Sequence, residues 1–95
     1  MLSLDDCSAL PGGDLIRSGV ADLEAGSLTI PALLVSIGAP RLRRSLEGLP
    51  AAALTSPEHR LYELLAEEDP RTAHSRYNAY IRRLVSFERA AECVS

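Results

Sequence analysis

The chain has 95 residues, of which 46% are hydrophobic and 24% are charged. This length is that of one small domain and leaves no room for a second domain. Its net charge of −3 excludes the overall positive charge that is typical of a nucleic-acid-binding domain. Leu and Ala supply 29 residues, whereas Val, Ile and Thr supply only 11, and this composition favours helices. We therefore predict an all-α fold.

Turn and capping signals divide the chain into a lead-in and about five helices. An irregular lead-in over residues 1–13 ends at Pro11-Gly12-Gly13, and Asp14 can cap the helix that follows. Gly38-Ala39-Pro40 separates two short helices, and Ser56-Pro57 begins the fourth. The predicted helices span residues 14–25, 30–37, 41–47, 57–68 and 71–93. Together they form an irregular bundle in a single domain over residues 1–95, with the long C-terminal helix as its spine.

The last helix carries the most regular apolar pattern in the chain. Apolar residues recur there at alternating spacings of four and three: Ala73, Tyr77, Tyr80, Leu84, Phe87, Ala91 and Val94. This heptad seam predicts one continuous buried side. Because the other helices are short, the seam offers more apolar surface than they are expected to cover, and we predict that the protein forms a homodimer.

The same helix carries arginines that have no acidic neighbour on their own helix face. Arg76, Arg82 and Arg83 lack an acid three or four residues away, so local ion pairs do not account for them. We predict a protein-binding surface on this helix, since Arg and Tyr are enriched among interface anchors. Its candidate residues are Arg71, Asn78, Arg82, Arg89, Tyr77 and Tyr80.

Two other interpretations of these arginines stay open. The preceding helix supplies acids that can pair with Arg76 and Arg83, and the outer face is then an ordinary solvated surface. The candidate acids are Glu63, Glu67, Glu68 and Asp69. An anionic ligand such as a phosphate is the other interpretation, because the planar guanidinium suits phosphate geometry.

Residues 30–47 have the outline of a helix-turn-helix, with Gly38-Ala39-Pro40 as the turn. In this interpretation three arginines lie at the start of a recognition helix, where they reach phosphates or guanine edges. They are Arg41, Arg43 and Arg44. The second helix is predicted to be only about two turns long, so a purely structural turn within the bundle competes with the nucleic-acid-binding interpretation.

Signals for catalysis and for cofactors are weak. His59 and His74 each have a polar residue one turn later, Glu63 and Asn78, but neither forms a metal-binding motif. No phosphate loop and no nucleophile motif occurs, so we predict no catalytic residue, no metal and no cofactor. An enzyme whose site forms between two subunits, from the histidines and arginines, is the third functional hypothesis.

We also expect no targeting signal. The segment Met1–Asp6 has no basic or continuous apolar region, and the longest uncharged run, residues 25–40, is broken by two Pro and two Gly. Cys7 and Cys93 have no metal-ligand spacing and are expected to be unbridged thiols, unless the fold brings them together. We expect a cytoplasmic protein without a membrane partner. The leading hypothesis is an adaptor or regulatory protein that binds another protein or itself, and DNA binding is the alternative.

Overall fold

The computed structural model describes residues 1–51 and 54–94, so Ala52, Ala53 and Ser95 lie outside the described residues. Within these ranges the chain forms five helices and no strand, and the predicted all-α bundle with a long C-terminal helix is confirmed. The helices are α1 (Leu4–Cys7), α2 (Gly13–Glu24), α3 (Ile30–Leu42), α4 (Pro57–Glu68) and α5 (Ala73–Val94).

The apolar helix α3 lies at the centre of the bundle. It contacts α2, α4 and α5, and eight of its thirteen residues are buried. Thr29 begins it, because the Thr29 hydroxyl accepts a hydrogen bond from the Ala32 N–H at 3.2 Å and donates one to Asp22 at 2.6 Å. An apolar character all round is typical of a helix that has neighbours on every side. Leu33, which is fully buried, illustrates this position.

The two predicted helices at residues 30–37 and 41–47 are one helix followed by a turn, so the helix-turn-helix outline is wrong. The helix continues through Pro40 to Leu42, and the Arg43 N–H donates to the Ala39 carbonyl at 3.0 Å. Gly38, Ala39 and Leu42 are all buried. Their burial stabilises the helical path where Pro40 removes one backbone donor, so tertiary packing overrides the local break signal.

The predicted irregular lead-in also contains a short helix that the sequence analysis missed. The Ser3 hydroxyl accepts a hydrogen bond from the Asp6 N–H, while the Asp6 carboxylate accepts one from the Ser3 N–H. This reciprocal capping box stabilises the first turn of α1. Leu2 then pairs with the segment after α3, since its N–H donates to Ser45 and its carbonyl accepts from Glu47, both at 2.9 Å.

The heptad seam of α5 packs against the other helices of the same chain. Leu84, Phe87 and Ala91 are buried in the same core cluster as residues of α2, α3 and α4. Tyr77 and Tyr80 are half-buried, and only Val94 at the end of the seam is largely exposed, at 58%. The chain itself therefore covers most of the surface from which the homodimer was predicted, and the homodimer stays a prediction without that argument.

Candidate functional site

A groove on the solvent side of α5 brings together three of the arginines that have no acidic neighbour on their own helix face. It consists of two adjoining depressions of about 330 and 190 Å³, which share Ala79 and Arg83. We call it the arginine groove; it is lined by Pro11, Gly12, Arg76, Ala79, Tyr80, Arg82, Arg83 and Ser86. Arginine side chains thus lie beside small and aromatic side chains on one surface of α5, next to the Pro11-Gly12 loop.

The loop before α2 forms one wall of the groove. Gly12 has a left-handed backbone with φ of 75°, and a Cβ atom there would lie 3.2 Å from the Arg83 carbonyl oxygen and 3.6 Å from the Phe87 Cβ. Only glycine therefore combines this backbone conformation with such a close approach to α5. The contact places Pro11 beside the exposed side chains of α5.

The groove is electrostatically positive although the whole chain carries a charge of −3. Arg82 and Arg83 are exposed, and neither forms a salt bridge within residues 1–51 and 54–94. The sequence places no acid on α5 before Glu88. Adjacent guanidinium groups without nearby carboxylates attract anionic groups, and this attraction is strongest at low ionic strength.

Arg76 differs from its neighbours in the groove because it has a partner on α4. Its guanidinium donates a hydrogen bond to the Glu68 carboxylate at 2.9 Å, and this bond raises the pKa of Arg76. Pairing of Arg76 with an acid of the preceding helix was one of the predicted alternatives, and it is present. The corresponding pairing of Arg83 is not formed within the part of the chain that the structure describes.

The candidate protein-binding residues do not all lie together. Arg82 and Tyr80 line the groove, and Arg89 lies two turns beyond Arg82 on the same helix. Asn78 is exposed beside His74, at 3.2 Å from its ring nitrogen, and Arg71 precedes the helix.

Tyr77 lies on the other side of α5, facing α4. Its ring stacks at an angle on Tyr62, with 5.8 Å between the ring centroids. Burial raises the pKa of the Tyr77 hydroxyl, and the Glu58 charge raises it further. Tyr77 therefore contributes to the contact between α4 and α5 rather than to the groove.

Sequence reasoning missed several groove residues. Arg83 was singled out for its lack of an acidic neighbour but was not among the candidate protein-binding residues, and Ala79 and Ser86 carry no signal of their own. The Pro11-Gly12 turn was recognised as a turn, but nothing local indicates that it lies against a helix some seventy residues later. Heptad counting does place Ala79, Arg82, Arg83 and Ser86 on one side of α5, and that count was the signal that could have found them.

Two of the three arginines considered for nucleic-acid binding are engaged within the chain. Arg41 forms a two-pronged pair with Glu92, at 2.7 and 2.9 Å, and a longer contact of 3.4 Å with Glu88. Arg43 donates to the carbonyl oxygens of Pro50 and Ala51. Arg44 is exposed. Their positions at the end of α3 and in the following turn do not form a recognition helix.

Glu88 is a buried carboxylate at the crossing of α3 and α5, with only 6% of its surface exposed. A Cβ atom on Gly38 would lie 3.0 Å from the Glu88 carboxylate, so glycine makes room for it. Burial raises the pKa of Glu88, Arg41 opposes this, and the nearby Glu92 adds to it. The hydrogen bond from Arg41 instead lowers the pKa of Glu92.

These opposite pKa shifts predict opposite pH dependences for two variants. Because folding raises the pKa of Glu88, its contribution to stability is present at low pH and is lost as pH rises through the folded pKa. The side chain introduced by Glu88→Gln resembles the protonated acid. The variant's free energy of unfolding, relative to that of the natural protein, should therefore be higher at pH 7 than at pH 4. Urea unfolding at both values measures the difference.

Glu92→Gln is the matched control for this pH prediction. Folding lowers the pKa of Glu92, so the contribution of Glu92 to stability is present at pH 7 and is lost as pH falls. The variant should be less stable than the natural protein at pH 7, with a smaller difference at pH 4. If the stabilities of Glu88→Gln and Glu92→Gln, each relative to the natural protein, changed in the same direction with pH, the opposite pKa shifts of the two residues would be contradicted.

The exposure of Arg82 predicts that its side chain contributes little to stability. Arg82→Ala should change the free energy of unfolding by less than about 1 kcal/mol, because no described contact of the guanidinium is lost. Thermal and urea unfolding measure this value. A loss above about 2 kcal/mol would mean that Arg82 is buried and paired, and that it is not available to a partner.

The remaining chemical groups do not assemble into a second candidate site. His59 lies 3.3 Å from Glu63, so both predicted histidine contacts are present on exposed helix faces. Across residues 1–51 and 54–94, no three His, Cys, Asp or Glu side chains come close enough to bind a metal ion. Cys7 is buried and Cys93 is exposed, and both are unbridged thiols.

None of the helices in the described residues has both the length and the apolar character that crossing a membrane requires. Comparisons with protein-family models, with curated proteins and with solved structures found no match to the chain. The geometry and charge of the arginine groove are therefore the features of this chain that point to a function.

Proposed function

We propose that the protein is an adaptor or regulatory module that binds an acidic surface of another protein through the arginine groove. The observation that supports this proposal is the presence of Arg82 and Arg83 side by side, exposed and without a carboxylate partner in the described residues. Tyr80, Ala79 and Pro11 add an apolar surface beside these charges. Arginine and tyrosine next to a concave apolar surface are typical of interface anchors.

A protein partner fits this groove better than a nucleic acid. The groove combines its charges with the apolar surface of Tyr80, Ala79 and Pro11, which packs against side chains and gains nothing from a phosphate. The overall charge of −3 opposes a polyanion at longer range. Arg41 and Arg43, the other candidate contacts for phosphates, already bind acceptors within the chain.

The charge distribution also favours a different protein over a second copy. In a symmetric dimer formed by antiparallel α5 helices, residues near the middle of the helix face their own copies. Arg82 and Arg83 lie at the middle of Ala73–Val94, so such a dimer would bring four guanidinium groups together.

The unbridged state of Cys7 and Cys93 is compatible with a cytoplasmic location, which is part of the proposal.

Site-specific photocross-linking in the cells that make the protein tests the proposal. A benzophenone amino acid at Ala79, in the groove, should form a covalent adduct with one identified protein. The matched control is the same amino acid at Ala21, an exposed alanine of α2. Arg82→Ser with Arg83→Ser should reduce the Ala79 adduct at least tenfold, since it removes the charges that attract the partner.

Several results would contradict the proposal. Equal adducts from Ala79 and Ala21, or an Ala79 adduct that persists in the double variant, would show that the groove does not select a partner by charge. Adducts only with a second copy of the chain would replace the proposal with a homodimer. Adducts only with nucleic acid would support the alternative function.

A further inference from the structure

The spacing of the arginines narrows the class of partner, and this inference depends on the proposed function. Arg76 and Arg83 are seven residues apart on one side of the groove. Arg82 lines the other side, and the exposed Arg89 lies seven residues beyond it on α5, outside the groove lining. Seven residues of an α-helix correspond to about 10.5 Å along its axis. Arginines therefore repeat along α5 with the period of two helical turns, and of these four only Arg76 has a salt bridge in the described residues, to Glu68.

The floor between the two sides of the groove is low. Ala79 and Ser86, which are also seven residues apart, are exposed and have small side chains. A helix above them can approach α5 to an axial distance of about 8–10 Å, the usual range for packed helices. Its flanking side chains would then lie beside the guanidinium groups of Arg82 and Arg83.

A helical partner matches this pattern and an extended peptide does not. Residues seven apart on a helix lie on nearly the same side, at the same spacing of about 10.5 Å as the arginine pairs. Same-side residues of an extended strand repeat at about 6.6–6.8 Å, so an extended chain falls out of step with the arginines. Paired helices with opposite charges at their flanking positions are an established mode of recognition.

We propose that the arginine groove binds an amphipathic helix of the partner protein, with a narrow apolar seam over Ala79 and Ser86 and with Asp or Glu on both flanks. The acids on one flank lie beside Arg83, and those on the other flank lie beside Arg82 and Arg89. Arg76 keeps its bond to Glu68 and borders the groove.

Selection from a display library of random 21-residue peptides tests this inference, with the 95-residue chain as bait. Binders that also bind the Arg82→Ser, Arg83→Ser double variant are removed. The retained peptides should be rich in Asp and Glu and should carry apolar residues at spacings of three and four. Circular dichroism should show that they become helical when bound.

Calorimetric titration of one retained peptide gives the quantitative test. The double variant should bind it at least tenfold more weakly than the natural protein, and raising the salt concentration should weaken binding to the natural protein. Arg44→Ser is the matched control, because Arg44 is exposed but lies outside the groove. It should change the affinity less than twofold.

The outcomes separate this inference from the proposed function. Retained peptides that are acidic but extended, or that lack any helical period, would overturn the inference of a helical partner. An Arg-dependent cross-link at Ala79 would in that case still support protein binding. A library without any groove-dependent binder would overturn the helix as well. Duplex DNA that binds the groove more tightly than every retained peptide would overturn both.

Discussion

Phe87→Ala is expected to lower the free energy of unfolding by about 3–5 kcal/mol. Phe87 is fully buried and is the one phenylalanine of the chain. Its Cβ atom also lies beneath Gly12, so the side chain supports the groove wall from inside. Removing the ring leaves a cavity that the surrounding helices can close only in part. Urea unfolding followed by circular dichroism measures the loss.

Ser86→Ala is the control for this prediction, since Ser86 is the exposed neighbour of Phe87. It should change the free energy of unfolding by less than about 0.5 kcal/mol. Because a small domain can have a total stability of only about 5 kcal/mol, Phe87→Leu provides a milder second variant if Phe87→Ala does not fold. A loss for Phe87→Leu no larger than that for Ser86→Ala would contradict the buried position.

Gly19→Ala is expected to destabilise the protein by about 1–3 kcal/mol, although Ala is favoured over Gly inside a helix by about 1 kcal/mol. Gly19 lies where α2 crosses α3, and a Cβ atom there would clash with the Pro31 carbonyl oxygen and lie 2.6 Å from a Val35 methyl carbon. The clash with backbone outweighs the gain in helix propensity, because backbone cannot move aside as a flexible side chain can.

Ser18→Ala is the matched control for the crossing, because Ser18 is an exposed residue of the same helix. It should be neutral or slightly stabilising, in line with helix propensity. Thermal unfolding of the two variants side by side measures the contrast. Gly19→Ala at or above the stability of Ser18→Ala would show that α2 and α3 are farther apart than the structure places them.

Much of the fold follows from patterns that are local in sequence. The composition predicted helices, and the seam on the last helix correctly marked Leu84, Phe87 and Ala91 as its core side. The path through Gly38 and Pro40 was not predictable in the same way. Local propensity favours a break there, whereas contacts between α3 and residues more than forty positions away stabilise a continuous helix.

The buried carboxylate of Glu88 shows a similar limit. From the sequence alone, a glutamate such as Glu88 is expected to be exposed to solvent. Its burial is explained by its position opposite Gly38 and Arg41 on α3. The same holds for Arg41, whose partner Glu92 lies fifty-one residues away. Long-range ion pairs of this kind leave no periodic signal, so the sequence could not separate Arg41 from exposed arginines such as Arg44.

The groove was predictable in part. The absence of acids near Arg82 and Arg83 on the last helix is visible in the sequence, and in the described residues both are exposed and form no salt bridge. Which sides of that helix are covered depends on packing, so Tyr77 and Tyr80 could not be separated before α4 was placed. The wall formed by Pro11 and Gly12 depends on a contact between distant parts of the chain.

We expect the charges of the arginine groove to select an acidic helical partner. Reversing the charges of the groove and of a peptide that was selected to bind it tests this expectation. Arg82→Glu with Arg83→Glu should weaken binding of the acidic peptide at least tenfold and should create binding to the same peptide with its acids replaced by Lys. Equal affinity of the acidic peptide for the natural and the charge-reversed protein, within twofold, would contradict this expectation.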